Sequence, residues 1–252
     1  MPSLLHKLPW DTDHFGFPVA QIQPPTLSAH DLHMALALAR REGYTLVYWA
    51  AESNHPVPSS LLSDYCGSLV DRKTVFSAEL PLLFANSDTG PPTGVEVAEY
   101  PPGEPSSDLV ALGIAAGTFS RFFRDPRIPK DAARRLYAIW TAKSARRELA
   151  DVVFVARQSA TPERLVGMVS CARRSEAAAI GLIAVDSALR GIGIGRALLD
   201  AAHRWMIASG AVQAEVVTQQ CNIAACRLYK SCGYTIGLQR DYYHFWLNAS
   251  SH

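Results

Sequence analysis

The sequence predicts an α/β protein: a C-terminal α/β domain in which helices flank a β-sheet, preceded by a smaller N-terminal α/β region. Runs rich in β-branched residues alternate along the chain with segments whose apolar residues recur at helical spacing. A glycine-rich turn joins one of these strands to a helix. The composition, 48% hydrophobic and 19% charged, is typical of an ordinary globular domain.

The bulk properties exclude several classes of protein. The 252 residues carry a formal net charge of +1, so no overall field favours nucleic acid. No apolar run approaches the roughly 20 residues that a membrane span needs, and the first residues lack a signal-peptide core. The five cysteines form no Cys-x-x-Cys pair and predict reduced, mostly buried thiols rather than a metal site. We therefore expect a cytoplasmic protein without a metal.

A Pro/Gly/Ser-rich stretch over residues 86–108 predicts a loop or linker. It divides the chain into an N-terminal α/β region, 1–105, and a C-terminal domain, 106–252. In the first region we expect a helix over 31–41 and strands over 45–50 and 74–80. In the second we expect helices over 129–148, 195–209 and 222–231, and strands over 152–157, 165–171, 179–185, 213–219 and 242–247.

The glycine-rich turn, residues 190–195, follows the strand that ends at Val185 and opens the next helix. Glycines allow several backbone N–H groups to converge on one point, and the helix N-terminus adds its positive dipole end. Arg190 and Arg196 can add charge-assisted contacts, so the turn suits a pyrophosphate. The spacing does not match the Gly-x-Gly-x-x-Gly dinucleotide fingerprint, and no Lys-Ser or Lys-Thr follows as in P-loop proteins. A turn without a ligand is the alternative.

Two motifs in this order resemble the GNAT acyltransferase superfamily. The pattern Arg/Gln-x-x-Gly-x-Gly/Ala is met by Arg190, Gly193 and Gly195. The pattern Asn-x-x-Ala-x-x-x-Tyr-x-x-x-Gly-Phe/Tyr is met by Asn222, Ala225, Tyr229, Gly233 and Tyr234. The resemblance covers about residues 110–247. It implies a mixed sheet whose strands splay apart to admit acetyl-CoA as co-substrate.

By that resemblance, the backbone of residues 182–185 pairs with the pantetheine arm like an extra strand, and the glycine turn holds the pyrophosphate. The implied cofactor-binding residues are Leu182, Ile183, Ala184, Val185, Arg190, Gly191, Ile192, Gly193, Ile194, Gly195, Arg196, Asn222 and Tyr229.

A second resemblance spans nearly the whole chain. The segments 8–20, 120–122, 135–140 and 218–219 are similar to those of the dTDP-fucosamine (dTDP-4-amino-4,6-dideoxygalactose) acetyltransferase family. That family acetylates the amine of a nucleotide-linked 4-amino-4,6-dideoxy sugar. The resemblance implies such an acceptor and places the N-terminal region on the acceptor side. The aromatic residues of segment 8–20 either shape the acceptor pocket or pack the N-terminal region.

Acyl transfer from a thioester to an amine requires loss of an amine proton, stabilisation of an oxyanion and protonation of the leaving thiolate. The resemblance assigns the proton for the thiolate to Tyr229; a core tyrosine is the alternative. Asn222 is placed to cap the short helix and to bind the cofactor. The general base is not evident, because Glu215 and Glu176 are better explained as surface or structural carboxylates and His203 as a structural residue. Proton transfer through ordered water to backbone carbonyls is the alternative. No cysteine has a histidine partner in sequence, which favours direct attack by the amine.

Residues 121–147 hold nine basic and two acidic residues, a local charge of about +7 in a nearly neutral protein. The segment is either a solvated helix face or a surface for the phosphates of a nucleotide sugar or CoA. Arg121 and Tyr137 are the candidate acceptor-binding residues within it.

Other functions remain open at this stage. The acceptor amine of a GNAT enzyme could instead belong to another small molecule or to a peptide N-terminus. A non-catalytic module that binds acyl-CoA is a third alternative. The last strand, 242–247, could also pair across a homodimer, which the sequence does not decide.

Overall fold

The computed structural model describes residues 4–80 and 90–247, which divide into two compact units. The first unit comprises Met1–Lys73, Arg124–Arg127 and Gln239–His252, and the second comprises Thr74–Phe123 and Ile128–Leu238. The chain passes between the units within β4 (Gly67–Glu79) and β10 (Thr235–Trp246). It also passes between them on either side of the segment Arg124–Arg127. The boundary expected between residues 105 and 106 lies inside the second unit.

The first unit is a small α/β structure. Its helices are α1 (Pro9–Phe15), α2 (Ala29–Arg41) and α3 (Ser59–Asp64). Its remaining strands are β1 (Leu5–Lys7), β2 (Val19–Ile22) and β3 (Leu46–Glu52). The strand order is β1-β2-β3-β10-β4, with β2 and β3 parallel and β3 and β10 antiparallel.

Helix α2 shows why these residues fold locally as they do. The Ser28 side chain accepts a hydrogen bond from the Asp31 N–H and caps the N-terminus of the helix. Four residues at helical spacing are buried on one face: Leu32, Ala35, Leu36 and Ala39. They join β2, β3 and β10 in the hydrophobic core of this unit.

The second unit carries the larger mixed sheet, with strand order β10-β4-β9-β8-β7-β6-β5. Its strands are β5 (Val95–Glu99), β6 (Val152–Gln158), β7 (Thr161–Arg174), β8 (Ala177–Val185) and β9 (Gln213–Gln219). Its helices are α4 (Ser107–Ala116), α5 (Arg121–Arg124), α6 (Lys130–Ala145), α7 (Ile194–Ala208) and α8 (Ile223–Ser231). Strands β5 to β8 are successively antiparallel, whereas β8 and β9 are parallel.

Helices cover both faces of this sheet. On one face, Leu198 and Met206 of α7 pack in a core cluster with residues of β6 to β9 and with Tyr229 of α8. On the other face, Leu109 and Leu112 of α4 pack against β6 and β7. The sheet is therefore buried between two helical layers, which confirms the α/β class and the GNAT-type mixed sheet predicted from the sequence.

Most of the predicted elements are present, and β9 has the predicted bounds. The stretch 86–108 is not simply a linker, because it contains β5 and the first two residues of α4. The alternation of apolar and polar residues over Val95–Glu99 is short, and prolines flank it, so the sequence did not predict this strand. Residues 86–89 lie outside the described part of the chain. The cysteines are all free thiols, but only Cys171 is buried.

Candidate functional site

The central feature of the second unit is a parting of two parallel strands. β8 and β9 pair from Ala177 opposite Gln213 to Ile180 opposite Val216. Both strands then continue, to Val185 and Gln219, and no further pair joins them among the residues that the structure describes. The sheet is splayed here, as expected, and the edge of β8 that faces β9 is open from about residue 181 onward.

The direction of the main-chain groups along this open edge follows from three hydrogen bonds. The N–H groups of Leu182 and Asp186 both donate towards β7, to Ser170 Oγ at 2.8 Å and to the Val166 carbonyl at 2.8 Å. Successive residues of a strand direct their N–H and C=O groups to opposite sides. The groups of Ile183 and Val185 therefore face the open edge, and the Val185 carbonyl accepts a bond from Arg190 Nε at 3.2 Å.

The glycine turn lies at the end of this open edge. A short 3-10 turn, Ser187–Leu189, follows β8 and is fixed by Asp186, whose carboxylate accepts from the Ala188 N–H and pairs with Arg164 at 2.6 Å. Gly191 and Gly193 then adopt positive φ angles of 84° and 100°. Residues 190–193 are exposed. These conformations favour glycine and turn the backbone into the first turn of α7.

Gly193 is the N-cap of α7 and, as a glycine, has no side chain that could cap this helix end. The first N–H groups of a helix have no acceptor within the helix, so they are directed at the space before it. A Cβ on Gly195 would lie 3.1 Å from Leu228 Cδ2, so this glycine allows α7 to approach α8 closely. The turn has the properties of an anion site: exposed N–H groups at a helix N-terminus.

The two arginines of the turn are placed differently. Arg190 is exposed and bonds the Val185 carbonyl. Arg196 Nη1 instead donates to the Ser231 carbonyl and to Cys232 Sγ, each at 3.3 Å, at the C-terminal end of α8. In this structure the Arg196 guanidinium is therefore directed to α8. Its predicted contact with a pyrophosphate stays a prediction.

Asn222 and Tyr229 lie on α8, the helix that follows β9. The Asn222 side chain accepts a hydrogen bond from the Ala225 N–H at 3.3 Å, which confirms that Asn222 caps α8. Tyr229 is 1% exposed and its ring packs 5.6 Å from that of Phe76 and 5.8 Å from that of Tyr234. Its hydroxyl makes no hydrogen bond with any described residue, which leaves it available for a ligand.

Burial sets the protonation state of Tyr229. Removal from water disfavours the phenolate, and the neighbouring Cys226 and Cys232 thiols add to the effect, so the pKa of Tyr229 lies well above that of an ordinary phenol. The hydroxyl is therefore protonated across the physiological range.

The candidate bases lie away from the open edge. Glu215 is paired with Ala179 in the closed part of β8 and β9, and Glu176 is exposed in the turn before β8, at the end opposite Val185. His203 is buried on α7 and shares a 2.8 Å hydrogen bond with the Tyr234 hydroxyl. Burial, together with Arg196 and Arg204, lowers the pKa of His203 to about 4, so it is neutral at pH 7. These placements agree with a structural role for the three residues.

The proposed acceptor residues lie on α5 and α6. Tyr137 is buried beside Gly117, where a Cβ would lie 2.4 Å from its ring, and its ring is 5.1 Å from that of Trp140. The Arg121 guanidinium lies 4.6 Å from the Phe122 ring centroid. Both residues belong to the second unit, and their role in binding an acceptor stays a prediction.

Several cations of the basic segment are already occupied. Arg124 and Arg127 donate to the carbonyls of Val70 and Cys66, and Lys130 donates to that of Phe123. Arg146 pairs with Glu104 and Glu148, and Arg147 pairs with Glu99. Arg134 and Arg135 on α6 are exposed. Carboxylates therefore partly compensate the charge of Arg146 and Arg147, whereas the cations that bond carbonyls keep their positive charge.

The N-terminal aromatic residues form a ladder within the first unit. Trp10 stacks on His14 at 5.0 Å, and Phe15 stacks on Phe17 at 5.8 Å, which in turn lies 5.5 Å from Trp246. Behind this ladder, the buried Asp125 carboxylate accepts from Trp246 Nε1 at 2.9 Å and lies 2.7 Å from His244 Nδ1. No residue of α1 is buried and Trp10 is 40% exposed, so packing of the N-terminal region and shaping of an acceptor pocket both stay predictions for this segment.

Sequence reasoning missed Ser170 and the irregularity in β8 that it faces. Ser170 is 1% exposed and stands in the sequence as one small polar residue within a strand.

Across residues 4–80 and 90–247, no group of three or more His, Cys, Asp or Glu side chains could hold a metal ion. Within the same residues, no helix has the length and apolar character to cross a membrane.

The acetyltransferase (GNAT) family model matches residues 118–234. This part of the chain, 117 of its 252 residues, is similar to that family. The match includes the glycine turn, the open edge of β8, and α8 with Asn222 and Tyr229. A solved GCN5-related N-acetyltransferase from Sphaerobacter thermophilus superposes with a TM-score of 0.64 at 15% identity, over 98% of this chain and 77% of that one. This likeness shows that the GNAT fold is shared.

Two curated proteins are similar in sequence to parts of this chain. The chain is 28% identical over 158 residues to the spore coat polysaccharide biosynthesis protein SpsD of Bacillus subtilis, covering 59% of this chain and 50% of that protein. It is 32% identical over 76 residues to a streptothricin acetyltransferase from Escherichia coli, covering 30% of this chain and 44% of that protein. The chain thus spans half or less of the length of these relatives.

Proposed function

We propose that this protein transfers the acetyl group of acetyl-CoA to the amine of a nucleotide-linked 4-amino-4,6-dideoxy sugar. The observation that carries the proposal is the parting of β8 and β9 beyond Ile180 and Val216. It leaves an open strand edge that leads to an anion-binding turn at Gly191–Gly193. A long, flexible molecule with an amide-bearing arm and a pyrophosphate fits both parts, and acetyl-CoA is such a molecule.

Within this proposal, Ile183 and Val185 present the main-chain groups that pair with the amides of the pantetheine arm. The Val185 carbonyl is engaged by Arg190, so the arginine moves when the cofactor pairs there. The N–H groups of the glycine turn and of the first turn of α7 bind the pyrophosphate. Asn222 adds a hydrogen bond to the cofactor in addition to its cap.

The reaction we propose is a direct transfer. The uncharged amine attacks the thioester carbonyl carbon and a tetrahedral oxyanion forms; its collapse breaks the C–S bond and releases CoA as a thiolate. Tyr229 then donates its phenolic proton to that thiolate, and the proton lost by the amine returns to the phenolate through water. Tyr229 suits this role because its buried hydroxyl is protonated and makes no bond with a described residue.

Two kinds of similarity bear on the nature of the acceptor. The similarity to a protein named for polysaccharide biosynthesis, and the resemblance of segment 8–20 to the dTDP-fucosamine acetyltransferase family, both favour a sugar amine. The similarity to a streptothricin acetyltransferase supports a second candidate, a small-molecule amine of the antibiotic type.

The decisive experiment is a thiol-release assay with acetyl-CoA and purified protein. The panel contains dTDP-4-amino-4,6-dideoxygalactose, the same nucleotide sugar without the amine, streptothricin, simple amines and short peptides. Turnover with the aminated nucleotide sugar alone, with an N-acetyl product by mass spectrometry, is the expected result. Turnover with streptothricin or peptides instead would retain acetyl transfer and overturn the sugar. Binding of acetyl-CoA without any turnover across the panel would favour a non-catalytic module.

A further inference from the structure

Strand β8 contains a β-bulge at the start of its open edge. Ile183 is opposite Val169 and Ile180 is opposite Cys171, so Ser170 of β7 faces two residues of β8, Gly181 and Leu182. One extra residue in a strand reverses the alternation of its side chains and main-chain groups beyond that point.

The reversal is visible in the packing of β8. Before the bulge, Ala178 and Ile180 belong to the core cluster beneath α7. After the bulge, Ile183 and Val185 pack against that same cluster, while Ala184 belongs to the cluster on the opposite face of the sheet. In a regular strand, even-numbered residues would have stayed on the α7 side throughout.

The same reversal decides which main-chain groups face the parting of the sheet. Because Leu182 and Asp186 direct their N–H groups to β7, those of Ile183 and Val185 are directed to the open edge. A slip of one residue would present Leu182 and Ala184 there instead. The bulge therefore sets the register in which any extended ligand pairs with β8.

One side chain bonds the main chain at the bulge. Ser170 is 1% exposed, and its Oγ accepts the Leu182 N–H at 2.8 Å. The extra residue of a bulge is left without its ladder partner, and this hydroxyl supplies a substitute acceptor. The space beside it is restricted, because a Cβ on Gly181 would lie 2.9 Å from Ser170 Oγ.

We propose that Ser170 is a positioning residue for acetyl-CoA: its hydroxyl holds the bulge that directs the main-chain groups of Ile183 and Val185 to the open edge of β8. The proposal rests on the proposed function, since it concerns the same cofactor site. Ser170 acts through the backbone of β8 and does not itself contact the cofactor.

The first test is Ser170→Ala in the full chain. Acetyl-CoA binding by calorimetry should weaken about tenfold, because a register held by one hydrogen bond is lost. The KM for acetyl-CoA should rise by a similar factor, while the KM for the amine stays within about twofold. Hydrogen exchange of the free protein should become faster at residues 181–183.

A second variant perturbs the same bond from the other strand. Gly181→Ala places a methyl group against Ser170 Oγ and should displace the hydroxyl although the serine remains. It should also weaken acetyl-CoA binding. In the double variant the clash is gone, so its affinity should be no lower than that of Ser170→Ala alone. This non-additivity distinguishes a specific hydroxyl role from general loss of stability.

Ser209→Ala is the matched control, because it also removes one hydroxyl that bonds a main-chain group, the Met206 carbonyl at 2.7 Å, at the far end of α7. It should leave acetyl-CoA affinity unchanged. Wild-type affinity in folded Ser170→Ala, or unchanged exchange at 181–183, would overturn the inference. If the wild type binds acetyl-CoA but acetylates nothing, the proposed function fails and the Ser170 comparison still stands; if the wild type does not bind it, both are overturned.

Discussion

At the scale of single residues, the ring and the hydroxyl of Tyr229 have different surroundings. Its ring is held between Phe76 and Tyr234, whereas its hydroxyl makes no hydrogen bond with a described residue. In the proposed reaction the leaving sulfur becomes the hydrogen-bond partner of this hydroxyl.

Tyr229→Phe removes the hydroxyl and keeps the ring packing. We expect kcat to fall by about two orders of magnitude, the usual loss on removing a general acid, with acetyl-CoA affinity little changed. Steady-state kinetics and calorimetry measure the two effects. Burial holds the pKa of Tyr229 above its ordinary value. Deprotonation of Tyr229 should therefore cause no decrease in the wild-type kcat as the pH is raised to about 10. Full turnover by the variant would exclude Tyr229 as the acid.

His203 makes stability depend on pH in a defined direction. Burial first, and then Arg196 and Arg204, lower its pKa from 6.5 to about 4. The unfolded chain therefore takes up a proton at a higher pH than the folded chain does. The stability from neutral His203 is complete above about pH 6.5 and is lost as the pH falls towards 4.

His203→Gln removes the titration and keeps a side chain that can bond the Tyr234 hydroxyl. Between pH 7 and pH 4 the wild type should lose up to about 3 kcal/mol more unfolding free energy than the variant. Urea unfolding at a series of pH values measures this difference. His30→Gln, on the exposed start of α2, is the control and should follow the wild type. Parallel curves for wild type and His203→Gln would contradict the assignment.

At the scale of elements, the glycine turn combines a structural requirement with a binding one. Gly191 has φ of +84°, and a Cβ at this position would meet no described atom within 4 Å, so only backbone conformation opposes a side chain there. Gly43, after α2, has φ of +82° and the same free space. The two positions have similar φ angles and the same free space, and only Gly191 lies in the proposed site.

Gly191→Ala and Gly43→Ala should each lower the unfolding free energy by about 1 kcal/mol, because alanine disfavours positive φ. Only Gly191→Ala should weaken acetyl-CoA binding, by about tenfold, since the N–H groups of the turn would no longer converge. Thermal unfolding and calorimetry separate the two effects. Equal acetyl-CoA affinity in both variants would argue against the turn as the pyrophosphate site.

At the scale of the whole molecule, positive charge is concentrated in a nearly neutral chain. Most cations of residues 121–147 are bound to carbonyls or carboxylates, but Arg134 and Arg135 remain exposed on α6. Charges on such a surface act on a ligand over about 8–10 Å at physiological ionic strength. We expect them to favour a phosphorylated acceptor over a simple amine.

The double variant Arg134→Glu/Arg135→Glu should raise the KM for the nucleotide sugar about tenfold at low salt and weaken its salt dependence. The KM for a simple amine should not change. Lys7→Glu/Arg41→Glu alters the net charge equally at two exposed positions of the first unit and serves as the control. Equal salt dependence in the three proteins would show that the basic segment is only a solvated face.

The sequence by itself determined the features that depend on local chemistry. Positive φ in the turn required Gly191 and Gly193, an asparagine before a helix capped it, and apolar spacing marked α2, α6 and α7. These follow from near neighbours, and they predicted the α/β class; the GNAT fold was predicted from the resemblance of two motifs to that superfamily. The sequence did not predict the short strand β5, because its alternating apolar pattern covers few residues and is flanked by prolines.

Only the tertiary structure decided how distant segments act on one another. The pairing of β8 with β9 ends at Ile180, Arg196 is directed to α8, and Ser170 bonds the backbone of a different strand. Each depends on residues far apart in the chain, and the energy of a register or a side-chain direction is set by the partner it meets. That is why the sequence marked Leu182 to Val185 as one stretch, whereas the fold directs only Ile183 and Val185 to the open edge.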